Sequence, residues 1–293
     1  MSARSLLFVP GDSDRKLAKC AESGADIVIL DLEDSVDGSE KAAARVRVGE
    51  FLASFAQQAT PQLWVRINPL DTPEAAADLT AIVGLRPCGI VQPKTRSADD
   101  VVRLSRQLDE LEAQHGLMPA KISILPIATE TPEAIFSLGG FRRCGGRLYG
   151  LTWGAEDLAA AIGATGNKES SGGWTAPFQL VRSLCLFGAA AAGVAAIDTL
   201  YIDYRDSAGL RASCSEARRD GFSGKLAIHP DQVGVINECF IPSPAEVLEA
   251  QRIIALFAQS PGVAALSFGG QMVDIPHLRR AQKTLSRAVR PKL

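Results

Sequence analysis

Eight short apolar runs divide the first 230 residues of the chain, and each is followed by a turn and a segment with helical spacing of apolar residues. The runs are Ser5–Val9, Asp26–Leu30, Leu63–Ile67, Gly89–Val91, Ile122–Ile127, Arg147–Thr152, Ala196–Ile202 and Lys225–Ile228. Regular alternation of strands and helices predicts a parallel sheet. Eight such repeats predict an α/β fold closed into a (β/α)8 TIM barrel.

The pattern changes after the eighth run. Pro242 and Pro244 precede a helical run from Ala245 to Gln259, and a glycine-containing link leads to a second helical run, Pro276–Val289. We therefore predict two domains, a barrel over residues 1–240 and a C-terminal helical lid over residues 241–293. The lid is too short to bury its own apolar positions, so we expect them to pack on a barrel, either their own or a neighbour's.

Composition excludes several classes of protein. A formal net charge of -2 gives the 293-residue chain no overall attraction to nucleic acid or anionic membranes. The longest apolar stretch, Leu184–Ile197, is too short to span a bilayer, and the apolar run before Pro10 is too short for the core of a signal peptide. Six scattered cysteines without a C-x-x-C spacing favour thiols over disulfides or zinc, which indicates a cytoplasmic protein.

Charged residues follow several of the predicted strands. Active sites of TIM barrels lie at the C-terminal ends of the strands, so a charged residue there is a candidate for function and the chain is expected to be an enzyme. The candidates are Asp31, Glu33, Asp34, Arg66, Lys94, Glu130, Asp157, Asp203 and His229.

Glu130 and Asp157 are the strongest of these candidates, because they would project from the rim on adjacent strands. Mg²⁺ prefers oxygen ligands and commonly takes only one or two protein carboxylates, leaving room for water and substrate. We therefore predict that the pair binds Mg²⁺. The alternative is that each carboxylate only caps the helix that follows it.

Arg66 could hold a substrate carboxylate or enolate oxygen with two donors. Its alternative is an internal ion pair with the acidic segment that contains Asp31, Glu33 and Asp34. That segment would either support the metal site and orient Arg66 or cap a turn. Lys94 and Lys225 could neutralise buried acids or substrate. His229 is not expected to be a catalytic base.

Taken together, these residues carry a resemblance that runs nearly end to end. The motifs are Arg4-Ser-x-Leu-Phe-Val-Pro-Gly11, Asp31-Leu-Glu-Asp-Ser-Val36, Val65-Arg-Ile-Asn68, Glu130-Thr131, Trp153-Gly-Ala-Glu-Asp-Leu158, Ala196-Ile-Asp198, Gly221-Phe-x-Gly-Lys225, Ile228-His-Pro-x-Gln232 and Met272-Val-Asp-x-Pro-His277. In this order and spacing they resemble the citrate lyase β-subunit-like group of the HpcH/HpaI aldolase superfamily. Members of that group are Mg²⁺-dependent carbon–carbon lyases of 3-hydroxyacyl thioesters such as malyl-CoA or citramalyl-CoA.

The resemblance implies roles for particular residues. It makes Glu130 and Asp157 the metal ligands, with Glu130 also next to substrate, and it makes Arg66 the residue that holds the keto acid. It places Asp274 on a lid that covers the active site of a neighbouring subunit and transfers a proton, which implies a homo-oligomer, a trimer or a multiple of one. From the residues alone, Asp274 is equally an N-cap of the helix that follows it.

The resemblance also places coenzyme A near the first loop, with Arg15 or Lys16 close to a phosphate. A solvated helix start is the alternative for these two residues. Thr95-Arg-Ser97 stands where many relatives have an acidic residue, so the acyl thioester and keto acid stay open. Other functions also stay open: a malyl-CoA-type thioesterase, an aldolase of free pyruvate, a citrate lyase β subunit acting on an acyl carrier protein, or a non-catalytic binding protein.

Overall fold

The computed structural model describes residues 3–55 and 61–288, and the eight predicted strands form one parallel sheet within them. The strands are β1 Ser5–Pro10, β2 Ile27–Asp31, β3 Gln62–Arg66, β4 Gly89–Gln92, β5 Ser123–Pro126, β6 Gly150–Thr152, β7 Ala195–Asp198 and β8 Gly224–Ala227. Their order is β5-β4-β3-β2-β1-β8-β7-β6. Parallel bridges from Ile124 to Leu148 and from Ile127 to Thr152 join β5 to β6, which confirms the predicted barrel.

Helices follow the strands as expected from the alternating pattern. They are α1 Asp14–Cys20, α2 Lys41–Phe55, α3 Pro73–Ile82, α4 Ala98–Gln114, α5 Pro132–Ile135, α6 Glu156–Ala161, α7 Ala176–Ala192, α8 Ser207–Asp220 and α9 Pro230–Cys239. In α4, Val101, Leu104 and Leu108 are buried at a spacing of three and four residues, so one face of the helix is apolar. Among the residues that the structure describes, no helix combines the length and hydropathy needed to cross a membrane.

Alternation along the strands explains how charged side chains reach the rim. Alternate residues of a strand point to the same face, and in this barrel Ile27 and Ile29 of β2 and Trp64 of β3 belong to the apolar core cluster. The next residues in the same rows are Asp31 and Arg66, which are paired neighbours in the β2–β3 register. The barrel therefore places an acid and a base side by side above its apolar core.

Strand β7 is shorter than predicted. We expected it to run to Ile202, with Asp203 at the rim, but it ends at Asp198. The apolar run continues beyond the strand, although Ile202 is exposed and Asp203 accepts a hydrogen bond from the backbone of Arg205. Asp198 and Lys225 form the last β7–β8 pair, and they make a buried ion pair of 2.7 Å, so Asp198 holds the place predicted for Asp203.

The chain divides into two compact units, and the boundary in the sequence falls between Ile236 and Asn237, inside α9. The second unit contains α10 Pro244–Ala258, β9 Ala265–Phe268, β10 Gln271–Asp274 and α11 Ile275–Ala288. Val289, the last residue of the predicted second helix, lies outside the described residues.

The glycine-containing link of the second unit is a β-hairpin, which the sequence analysis missed. Gly269 and Gly270 connect β9 to β10, and both have positive φ, as the turn of a two-residue hairpin requires. Ile253 and Phe257 of α10 are buried with Val273 of β10 and other apolar residues of the unit. The second unit is therefore not purely helical, and it buries part of the apolar surface that we expected to need a barrel.

Candidate active site

Asp31 and Arg66 form a bidentate ion pair at the rim. Nε and Nη2 of Arg66 donate to Oδ1 and Oδ2 of Asp31 at 2.7 and 2.6 Å. Burial opposes ionisation of Asp31, but the hydrogen bonds and charge of Arg66 outweigh it and hold the pKa of Asp31 below its usual value. The aromatic ring of Phe8 lies 4.8 Å from the guanidinium carbon. Arg66 is thus fixed in orientation by an acid on one strand and an aromatic ring on another.

Glu33 is a buried carboxyl with an incomplete set of partners. Its Oε2 lies 2.9 Å from Nη1 of Arg66, but the geometry is not that of a hydrogen bond, and this oxygen has no hydrogen-bond partner. Burial raises the pKa of Glu33 to about 7, although the nearby charges of Arg66 and Lys94 lower it. A carboxyl with a pKa near neutrality and an oxygen that makes no hydrogen bond is suited to accept or release a proton at physiological pH.

Glu130 follows β5 and is almost fully buried. Burial raises its pKa to about 8, against the opposing effects of the charge and the backbone N–H of Lys94. Space for its side chain depends on Gly154, because a Cβ at that position would lie 2.9 Å from Cγ of Glu130. Since real Cβ contacts are essentially never that short, residue 154 must be glycine if Glu130 is to keep this position.

Lys94 lies at the centre of the acidic residues. Its Nζ donates to Asp157 and lies 3.3 Å from Asp34, 3.5 Å from Glu33 and 3.8 Å from Glu130. Burial lowers the pKa of the ammonium group, but the surrounding carboxylates outweigh that effect and raise it. The structure therefore brings Glu33, Asp34, Glu130 and Asp157 to one place, as the sequence analysis expected for rim residues.

The residues at this place fit a magnesium ion. Glu130 and Asp157 both direct a carboxylate oxygen at the same cationic point, which the Lys94 ammonium marks. Within the described ranges, no three acidic, histidine or cysteine side chains converge closely enough to form a complete metal cage. Mg²⁺ does not need one, because it commonly uses one or two carboxylates together with water and substrate.

Other rim candidates lie elsewhere or have a different role. Glu156, next to Asp157 in the chain, accepts a hydrogen bond from Asn167 at 2.8 Å and is not among the acids within 4 Å of the Lys94 ammonium group. His229 stacks on Tyr204 with 4.3 Å between the ring centroids. Arg15 and Lys16 are exposed in the first turn of α1, with their side chains available to a ligand.

Asp274 is paired with a histidine of its own unit. Nδ1 of His277 lies 2.5 Å from Oδ1 of Asp274, and the backbone N–H of His277 lies 3.4 Å from the same oxygen. The side-chain hydrogen bond from His277 lowers the pKa of Asp274. The position matches the N-cap that the sequence allowed, since Asp274 directly precedes α11.

Sequence reasoning gave no central position to Lys94 and did not identify the structural role of Asp198. Lys94 follows Pro93 at the end of β4, and the sequence signal was present, because the same position on other strands carries the acids. Asp198 was missed in the sequence analysis because the apolar residues that follow it made the predicted strand too long. Its buried carboxylate accepts from Lys225 and from Nε1 of Trp153.

Comparison with known proteins assigns the chain to a family. Residues 4–230 match the family model described as HpcH/HpaI aldolase/citrate lyase, and residues 191–290 match one described as a C–C bond lyase of the TIM-barrel fold. Mitochondrial citramalyl-CoA lyase of Rattus norvegicus is 33% identical over 307 residues, covering 99% of this chain and 87% of the relative. (3S)-malyl-CoA thioesterase of Cereibacter sphaeroides is 34% identical, covering 97% of this chain and 94% of the relative.

A solved structure agrees with these relatives. The crystal structure of protein CitE from Mycobacterium tuberculosis in complex with magnesium, acetoacetate and coenzyme A has a TM-score of 0.80 and 32% identity, and the match covers 98% of each chain. The similarity in sequence and fold thus extends over almost the entire length of the chain. The chain belongs to the HpcH/HpaI aldolase/citrate lyase family.

Proposed function

We propose that the protein is a Mg²⁺-dependent carbon–carbon lyase that cleaves a 3-hydroxyacyl-CoA thioester, such as citramalyl-CoA or malyl-CoA, into a keto acid and an acyl-CoA. The observation that carries the proposal is the group of four carboxylates around Lys94, next to Arg66, at the rim of a barrel from this family. Relatives that act on CoA esters support the substrate class.

Glu130 and Asp157 would hold the metal ion. Bound Mg²⁺ supplies a Lewis acid that stabilises negative charge on a substrate oxygen without a proton transfer. Arg66 uses Nε and Nη2 for Asp31, and a guanidinium has five N–H donors, so it retains donors for a substrate carboxylate. Its fixed orientation favours binding of the keto-acid part in one position.

Glu33 is our candidate for the group that accepts the substrate hydroxyl proton. In cleavage, the O–H proton goes to the Glu33 carboxylate, the carbon–carbon bond breaks, and its electron pair forms the enolate of the acyl thioester. The pKa of about 7 lets Glu33 serve in both directions near neutral pH. Its Oε2 makes no hydrogen bond within the described residues and is thus able to accept one.

Asp274 is proposed to complete proton transfer at the acyl carbon. The hydrogen bond from His277 lowers the pKa of Asp274, so the residue is a carboxylate near neutral pH. That is the form needed to remove a proton from acyl-CoA in condensation. In cleavage, Asp274 would first take up a proton from solvent, to which its side chain is about one-third exposed, and then give it to the enolate carbon, which regenerates the carboxylate.

We further propose a homotrimer, or a multiple of one, in which Asp274 on the lid, residues 241–293, serves the barrel, residues 1–240, of another chain. Mixed oligomers of Asp274→Asn and Glu130→Gln should then regain part of the activity, because some sites would draw both intact residues from different chains. Absence of complementation in demonstrably mixed oligomers would show that each lid serves its own barrel.

Arg15 and Lys16 are proposed to contact coenzyme A phosphates, supported by their exposure at the start of α1. A cytoplasmic location is supported by six free cysteines. Neither nucleic acid nor a membrane is proposed as a partner, in keeping with the net charge of -2.

Two other functions are tested by one experiment. Similarity to (3S)-malyl-CoA thioesterase favours thioester hydrolysis, and membership of the HpcH/HpaI aldolase/citrate lyase family favours a citrate lyase β subunit, which we propose would use an acyl carrier protein. A panel of CoA thioesters is incubated with the purified chain and Mg²⁺, and free keto acid and free thiol are measured separately. A lyase releases keto acid alone, a thioesterase releases thiol, and no turnover of any CoA ester would favour the carrier-dependent subunit.

A further inference from the structure

The ammonium group of Lys94 is surrounded by negatively charged side chains. Four carboxylates lie within 4 Å of Nζ, and two of them, Glu130 and Asp157, are the proposed metal ligands. A monovalent cation thus already gathers the oxygens that the divalent ion would need. The remaining two acids, Glu33 and Asp34, do not belong to the proposed ligand pair.

The backbone holds Lys94 at this place. Lys94 has a φ of +50°, a conformation that a non-glycine residue adopts at a cost. In that conformation its N–H donates to Oε2 of Glu130 at 2.5 Å. The main chain is therefore tied to a proposed ligand, whereas the ammonium group, at the end of a flexible four-carbon chain, donates to the side chains of Asp157 and Asp34.

An ammonium group and a magnesium ion that contact the same carboxylates would repel each other. The repulsion is twice that between two monovalent cations at the same distance, because the ion is divalent. Lys94 has an alternative position, because Asp34 is more than half exposed and lies at the outer side of the four acids.

We propose that Lys94 is a built-in competitor of the metal: its ammonium group neutralises Glu130 and Asp157 in the metal-free enzyme and moves toward Asp34 when Mg²⁺ binds. The proposal rests on the proposed metal site. Lys94 is accordingly a positioning residue, which keeps two repelling carboxylates in place for the ion and lowers the affinity for it.

Calorimetric titration of metal-stripped full-length protein with MgCl2 tests this proposal. Lys94→Met should bind Mg²⁺ at least about tenfold more tightly than the wild type, because no internal cation competes. Lys94→Arg keeps the charge and should stay within about threefold of the wild type. Lys168→Met is the matched control, since Lys168 lies on the Trp174 ring and not among these acids. Unchanged or weaker binding in Lys94→Met would overturn the proposal.

A second measurement uses the wild type and covers failure of Lys94→Met to fold. Amine methylation followed by mass spectrometry should label Lys94 several times faster with MgCl2 than without it, while labelling of Lys168 stays constant. Slower or equal labelling would contradict displacement. Asp157→Asn separates the two proposals: if it binds Mg²⁺ like the wild type, the metal site is wrong, whereas loss of binding without the Lys94 effects rejects the competitor alone.

Discussion

Two of the buried groups of charged residues in the barrel unit differ in their balance of acids and bases. The outer ion network consists of Arg182, Asp198, Asp220 and Lys225, with two acids and two bases. The rim acid cluster consists of Asp31, Glu33, Asp34, Glu130 and Asp157, and it has only Arg66 and Lys94 as bases.

The different ratio of acids to bases affects the pKa values of the buried carboxyls. Burial opposes ionisation of Asp198, yet Lys225 and Arg182 outweigh it and the pKa is lowered. In the rim acid cluster, burial dominates and raises the pKa of Glu33 to about 7 and of Glu130 to about 8. A balanced ion network keeps its carboxylates ionised, whereas the acid-rich cluster holds buried carboxyls that lose a proton when a cation binds.

The largest expected effect follows from removing a proposed metal ligand. Glu130→Gln should lower kcat/KM by at least about 1000-fold, since the metal contributes several kcal/mol to transition-state stabilisation. Asp157→Asn should weaken Mg²⁺ binding and leave the fold intact, and chelation should abolish turnover. Asp203→Asn, outside the cluster, is the control and should retain activity. Full activity in metal-free buffer would contradict the prediction.

Breaking the outer ion network should affect stability instead. Lys225→Met leaves Asp198 without its closest cation and should lower the free energy of unfolding by about 3–5 kcal/mol, as for other broken buried pairs. Urea denaturation measures the loss, and Lys121→Met at an exposed position is its control. If the folded variant had lost Mg²⁺ affinity or activity instead, the two groups would not be separable.

Opposite responses to pH should distinguish the two groups in metal-free protein. Glu33 has a raised pKa, so its contribution to stability is complete below pH 4.5 and disappears as pH rises through about 7. Glu33→Gln should remove this loss of stability at alkaline pH, on the order of 3 kcal/mol. Asp198 has a lowered pKa, so its contribution is present above pH 3.8 and disappears in acid. Denaturation curves from pH 3 to 9 compare Glu33→Gln with Asp198→Asn, and equal pH profiles would refute the distinction.

A smaller effect is expected from Arg66→Lys. An ammonium group cannot reproduce the bidentate fork, so keto-acid handling should fall by at least roughly tenfold. Steady-state kinetics measure the change, with Arg45→Lys as the control, because Arg45 makes a comparable ion pair with Asp78 outside the rim acid cluster. Unchanged kinetics with a large loss of stability would show that Arg66 has a structural role alone.

Much of the barrel could be predicted because apolar runs and strand alternation are local properties of the sequence. Asp31 and Arg66 were placed at the rim from their position after apolar runs, and the structure pairs them in register. Asp198 was missed because the end of β7 depends on the neighbouring strand, which the run of residues after it does not reveal. The Gly269–Gly270 turn was read as a link, since four-residue strands with one exposed face carry a weak apolar signal.

Ionisation within the rim acid cluster was also beyond prediction from the sequence. Whether Lys94 neutralises one acid or several depends on distances across four different strand ends. Its positive φ is set by the turn after β4 and has no glycine or asparagine to signal it.

Gly154 shows that the selectivity of a site can depend on an atom that is missing. A methyl group there would lie 2.9 Å from Cγ of Glu130 and would displace that carboxylate without changing any charge. Gly154→Ala would therefore change the distance between the carboxylate oxygens of Glu130 and Asp157 without changing their charge. Mg²⁺ requires oxygens at about 2.0–2.1 Å and Ca²⁺ accepts about 2.3–2.6 Å. At the metal site that we propose, discrimination between Mg²⁺ and Ca²⁺ would then depend on a residue that offers them no ligand.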